Sequence, residues 1–160
     1  MKAAWYEKQG PPRDVLVVGE MRDPIPAAGE VRIRIAASGV NPGDVKKRAN
    51  AFGYGMAYPR VVPHSDGAGY VDQVGAGVSR EWVGRAVWCF GAQSYRPFGT
   101  AAEFTVVPVH QIAPLAERVP MLAKRSSRQT LRSICRRGVR SRSKSTHPFN
   151  SLCGGGTVLR

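Results

Sequence analysis

Three sets of residues in this 160-residue chain have types that could do chemistry: a few metal-ligating side chains, a scatter of serines, and three glycine clusters. His64, Asp66, Cys89 and His110 are side chains a zinc ion would take. Zinc sites usually hold two ligands close together on one local element, and only His64-Ser-Asp66 approaches that. Nothing nearby completes the pair, and Cys89, Cys135 and Cys153 show no C-x-x-C spacing. No metal site is expected, and Cys89, between Trp88 and Phe90, reads as a small core residue. Ser38, Ser65 and Ser79 lack the G-x-S-x-G setting of a hydrolase nucleophile. Gly67-Ala-Gly69-Tyr-Val-Asp72 has the first two glycines of the dinucleotide fingerprint but not the third. It also runs into a strand, Tyr70 to Val74, where pyrophosphate would need a helix N-terminus. Gly75-Ala-Gly77 fails likewise, and Gly154-Gly-Gly156 has no βαβ unit around it. All three glycine clusters are expected to be tight turns between strands.

The elements that would position these residues are short. Turn chemistry recurs through the first 120 residues, in Gln9-Gly-Pro-Pro12, Asp23-Pro-Ile-Pro26, Asn41-Pro-Gly-Asp44 and Arg96-Pro-Phe-Gly99. Between the turns, Val31-Arg-Ile-Arg-Ile-Ala-Ala37 alternates, with Val31, Ile33 and Ile35 on one face and Arg32 and Arg34 on the other. That period of two predicts a strand with one buried and one wet face. Lys2 to Tyr6, Val15 to Glu20, Gly69 to Val74, Arg85 to Phe90 and Ala102 to Val107 are the other expected strands. Many short strands favour a barrel or sandwich over a doubly wound sheet. One short helix is expected over Gly43 to Ala49, with Asn41 as its N-cap, Pro42 at its first position and Asp44 at the third.

Charge divides the chain. All eleven acidic residues lie at or before Glu117, so residues 1–120 carry 14 basic against 11 acidic residues, a formal +3. Residues 121–160 carry ten basic residues and no carboxylate, a formal +10. This Arg/Ser-rich tail keeps neither period and isolates its apolar residues, so it is expected to be disordered. Ten cations would attract phosphate by counterion release, but Phe149 alone offers a ring for base stacking. The N-terminal MKAAWYEKQGPP has no apolar leader stretch. No apolar run approaches the roughly 18 residues of a membrane span. A cytoplasmic chain with reduced thiols is the expectation.

Four stretches together resemble the N-terminal domain of the medium-chain dehydrogenase/reductase superfamily: MKAAWYEKQGPPRDVLVVGE, PAAGEVRIRIAASGVNPGDVKKRA, YPRVVPHSDGAGYVDQVGAGV and VGRAVWCFGAQSYRPFGTAAEFTVVPVHQIAPL. Within it they are most similar to the zinc-independent, zeta-crystallin-like NADPH:quinone oxidoreductases. The resemblance implies a mainly β, GroES-like, partly open barrel over residues 1–120, in relatives followed by a Rossmann domain that holds NADPH. It implies that Asn41 lies near the nicotinamide end of the cofactor and that Tyr54 lines the same cleft as a donor. Lys46 stands where many relatives have a tyrosine, and is the third candidate, for cofactor binding. Zinc-containing relatives keep a Cys and a His where this chain has Asn41 and Ser65, which agrees with the absence of a metal. A quinone takes hydride readily because its product is aromatic, so positioning can replace a Lewis acid.

After Pro120 the resemblance stops, and the Rossmann pattern is absent from residues 121–160. The tail is expected to be either an out-of-frame read or the end of a genuine short product. The chain is thus expected to be a truncated NADPH:quinone oxidoreductase-like protein, inactive alone. Quinone or another small carbonyl compound is the substrate in intact relatives, and an open sheet edge offers a route to self-association. The alternative is a β-barrel binding module whose polybasic tail binds nucleic acid or an anionic surface.

Overall fold

The structure, a computed structural model, describes residues 1–116. The expectations for the tail, including disorder, nucleic-acid binding and Gly154–Gly156, lie outside those residues.

Seven strands and two short α-helices make up the described chain: β1 (Lys2–Trp5), α1 (Pro12–Val15), β2 (Val17–Glu20), β3 (Glu30–Gly39), α2 (Pro42–Arg48), β4 (Asp66–Val74), β5 (Ala86–Cys89), β6 (Phe104–Pro108) and β7 (Ile112–Pro114). Single 3-10 turns at Arg80–Trp82 and Val109–Gln111 link later strands. The fold is mainly β, as the turn spacing indicated. All five strands of the larger sheet are antiparallel to their neighbours, in the order β6-β3-β4-β5-β7. Strands β1 and β2 form a separate two-stranded sheet. Bridges at Ala3–Ala102 and Tyr6–Val61 tie β1 and the residue after it to the loops of the larger sheet. The two sheets do not close into a barrel.

Alternation in β3 organises the core. Val31 and Ile33 are fully buried and pack with Val71, Val87, Cys89, Ala92, Val107 and Ile112. Burying an aliphatic side chain of this kind stabilises the fold by about 1.5–3 kcal/mol. On the opposite face the Arg32 guanidinium pairs with Asp72 of β4 at 2.8 Å and lies over the Phe104 ring, 4.9 Å from its centre. The expected period is therefore realised, with an ion pair across the outer face of the β3–β4 ladder.

Three expectations change. First, there are two helices rather than one. Pro12 presets the backbone for α1, and Val15, expected in a strand, is buried against Tyr6 and Val61 at the helix end. Second, the Gly67-Ala-Gly69 cluster, expected as a turn leading into a strand from Gly69, lies wholly inside β4. The ladder between β3 and β4 shifts register between Ile35 and Ala37, and the two backbones approach closely there. A Cβ on Gly69 would overlap the Arg34 carbonyl, and one on Gly67 would meet Thr100 and the Ala37 carbonyl. Close strand packing, not a turn and not a phosphate, requires these glycines. Third, β7 was not expected. It is three residues long and exists through pairing of Ile112 with Cys89 and Pro114 with Val87.

Among the described residues no helix is long and apolar enough to cross a membrane.

Candidate functional site

Two groups of polar and aromatic residues flank α2, one at each end. At the start of the helix, Asn41 is the N-cap in extended backbone conformation, and Pro42 occupies the first turn. Asp44 Oδ2 accepts the Asn41 backbone N–H at 2.7 Å, as a carboxylate at the third helical position should. The Asn41 side chain turns toward β4, where Nδ2 donates to Asp66 Oδ2 at 2.7 Å. Asp66 is also held through its backbone: its carbonyl accepts the Thr100 hydroxyl at 2.8 Å. Thr100 Oγ1 lies 2.8 Å from Ser38 Oγ, and Ser38 Oγ lies 2.8 Å from His64 Nδ1. Asn41, Asp66, Thr100, Ser38 and His64 therefore form one connected chain of hydrogen bonds.

Burial sets the charges here. Burial is the largest influence on Asp44 and raises its pKa, partly opposed by the Asn41 N–H and by the charges of His64 and Lys47. Burial also lowers the His64 pKa, with Asp44 pulling the other way. Cys89 is fully buried and its thiol is pushed up to about 12, so it is a neutral core group and not a nucleophile. Among the described residues no three His, Cys, Asp or Glu side chains gather into a group that could hold a metal.

These shifts have opposite consequences for stability. The folded chain holds the His64 proton less tightly than the unfolded chain, whose pKa is near the ordinary 6.5. Stability from this group is present above that value and is lost as the pH falls below it. Asp44 runs the other way, because its folded pKa lies above the ordinary 3.8, and its unfavourable contribution is relieved on acidification toward that value. Denaturant midpoints should therefore fall between pH 7 and pH 6 and should fall less in His64→Gln. An unchanged pH slope in that variant would refute the assignment.

At the other end of α2 lies a cleft of about 620 Å³. Its floor is Tyr6 and Val61, and its walls are the loop after α2 and the segment Gln93–Tyr95. The loop is built to stand open. Asn50, Gly53 and Gly55 adopt left-handed backbone, and Asn50 Oδ1 accepts the Gly55 N–H at 3.0 Å. Gln9 Nε2 staples it by donating to the carbonyls of Lys47 and Gly55. The Tyr58 hydroxyl joins the two walls through the Tyr95 carbonyl at 2.5 Å. Phe52 and Tyr54 stack, with ring centres 6.1 Å apart, and both are exposed; Tyr54 is 89% exposed and Tyr95 97%.

Of the three residues expected at the site, Tyr54 lines this cleft, Asn41 does not, and Lys46 is exposed on α2 away from it. The next residue, Lys47, faces the cleft and donates from Nζ to Gln93 Oε1 at 2.8 Å. Phe52, Lys47, Gln93 and Tyr95 were not singled out from the sequence. The Phe52-Gly-Tyr54 spacing was available as a signal, but the pairing of Lys47 with Gln93 spans 46 positions and was not.

A mainly antiparallel domain of two unclosed sheets with a short capped helix is the architecture of an alcohol dehydrogenase-type GroES-like domain. The chain belongs to the family of the alcohol dehydrogenase GroES-like domain, which matches residues 27–117. Over this part it is homologous to quinone oxidoreductases. It is 32% identical over 111 residues to the mouse (Mus musculus) quinone oxidoreductase, covering 68% of this chain and 33% of that protein. The quinone oxidoreductase of Pseudomonas syringae pv. tomato superposes with a TM-score of 0.66 at 28% identity, covering 75% of this chain and 35% of that one. A mycobacterial protein solved in complex with NADPH superposes with a TM-score of 0.63 at 29% identity, covering 76% and 34%. The chain spans about a third of the length of the relatives it matches.

Proposed function

We propose that residues 1–116 are the substrate-side domain of a zinc-independent, NADPH-dependent quinone oxidoreductase acting in the cytoplasm. The observation that carries this is the cleft between α2 and Gln93–Tyr95. A quinone is a flat ring with two carbonyl acceptors. The exposed, stacked rings of Phe52 and Tyr54 suit a flat ring, and the Lys47 ammonium, with one of its three donors on Gln93, has donors left for a carbonyl. In this reading NADPH supplies hydride when bound, and Asn41 stands at the nicotinamide end. The protein's own part is to hold the quinone against the aromatic wall and offer a donor to the carbonyl that gains charge.

The test is equilibrium dialysis of the 160-residue chain against duroquinone, whose ring carbons are fully substituted and do not add thiols. Saturable binding is expected. Phe52→Ala should weaken it about threefold to tenfold, the loss of one stacking contact worth about 0.5–1.5 kcal/mol. Lys46→Ala should leave it unchanged. Unsaturable partition, or equal binding by Phe52→Ala, would remove the assignment.

A further inference from the structure

The four-residue chain from His64 to Asp66 has a direction, because each hydroxyl owns a single hydrogen. The Asp66 carbonyl can only accept, so the Thr100 hydroxyl spends its hydrogen there, at 2.8 Å. Thr100 then has none for Ser38, 2.8 Å away, and Ser38 must donate to Thr100. Ser38 in turn has none for His64, and the imidazole Nδ1, also at 2.8 Å, must carry the hydrogen of that bond. The order runs from His64 Nδ1–H to Ser38, to Thr100, to the Asp66 carbonyl. Neutral His64 is then the Nδ1–H tautomer, with Nε2 bare.

The backbone holds this arrangement at both ends. His64 is a non-glycine residue in left-handed conformation, with φ of 74°. Its carbonyl accepts the Thr100 N–H at 2.9 Å, and the following Ala101 N–H goes to Pro63. Gly99 packs flush on the Pro63 and His64 carbonyls, where no side chain fits. Thr100 is fully buried, so no water competes for its hydroxyl.

We propose that His64 and Ser38 are positioning residues for Asn41, acting through Thr100 and Asp66, whose carboxylate holds the Asn41 amide. The functional value rests on the reading that Asn41 faces a ligand, but the arrangement itself does not. Because the donor is Nδ1, protonation of His64 adds a hydrogen at Nε2 and leaves the chain of bonds intact. The site thus keeps its geometry through the histidine titration.

The test is long-range proton–nitrogen NMR of the uniformly labelled 160-residue chain, with His64 assigned by loss of its signals in His64→Gln. The expected result is a protonated-type Nδ1 and a lone-pair-type Nε2 above the titration, the reverse of the tautomer that free imidazole side chains favour. Ser38→Ala should return His64 to the Nε2–H form and shift the Asn41 side-chain NH2 signals; Ser38→Thr, which keeps the hydroxyl, should preserve both. A wild-type Nε2–H tautomer would overturn the proposal whatever the variants do. Unmoved Asn41 signals in Ser38→Ala would overturn the positioning role. Both readouts are taken on the chain without ligand, so they stand apart from the quinone-binding result.

Discussion

Gly69→Ala should unfold the domain or cost it about 3 kcal/mol or more, far beyond what one methyl group usually does. The added carbon would overlap the Arg34 carbonyl and touch Ile33 Cγ2, so strands β3 and β4 would have to part at the centre of the sheet. Typical single-domain stability is only about 5–15 kcal/mol. Gly43→Ala is the matched control. It lies in the first turn of α2 with nothing within 4 Å of the new carbon, and alanine is the better helix former by about 1 kcal/mol. Urea denaturation of the two variants should move in opposite directions. A Gly69→Ala midpoint within error of wild type would show that the strands do not pack as described.

That contrast also marks how far the residues could be read in order. The strand at Glu30–Gly39 was legible because Val31 and Ile33 alternate with two arginines, and a period of two survives any context. The α2 cap was legible because Asn41, Pro42 and Asp44 each act locally. The Gly67–Gly69 cluster was read as a turn ahead of the strand because its cause is not local: it is the carbonyls of Ala37 and Arg34, on the neighbouring strand. α1 escaped notice because four residues carry no period, and Val15 becomes helical only by being buried against Tyr6 and Val61. Around the cleft, Tyr54 and Lys47 line the wall, whereas Lys46, the neighbour singled out from the sequence, lies outside it. Adjacent helical residues point about 100° apart, and only the position of Gln93 decides which one faces the cleft. The His64–Ser38–Thr100–Asp66 chain joins three separate segments and has no signature in any of them.

The 160-residue chain, assayed alone, should not oxidise NADPH with a quinone; its rate should match the buffer blank. Holding a dinucleotide takes a glycine-rich turn that delivers backbone N–H groups at a helix N-terminus. Among the described residues, Gly67 and Gly69 are consumed by strand packing, and Gly75 packs on the Ala27 carbonyl. The start of α2 is no substitute, since buried Asp44 occupies its first turn and would repel a pyrophosphate. Without those contacts the nicotinamide has no fixed register, and a displacement of about 1 Å can cost roughly a hundredfold in rate. Saturable NADPH oxidation by the pure chain, abolished by Asn41→Ala, would show a cofactor grip within these residues.

Two-dimensional NMR of the labelled 160-residue chain titrated with duroquinone tests most directly the proposal that the cleft between α2 and Gln93–Tyr95 takes a quinone. Saturable shifts confined to Lys47, Asn50, Phe52, Tyr54, Gln93 and Tyr95, with Lys46 and the outer face of β3 unmoved, are the expected result. Shifts that never saturate, or that fall on the exposed edge Val17–Glu20 and leave the cleft signals in place, would contradict it.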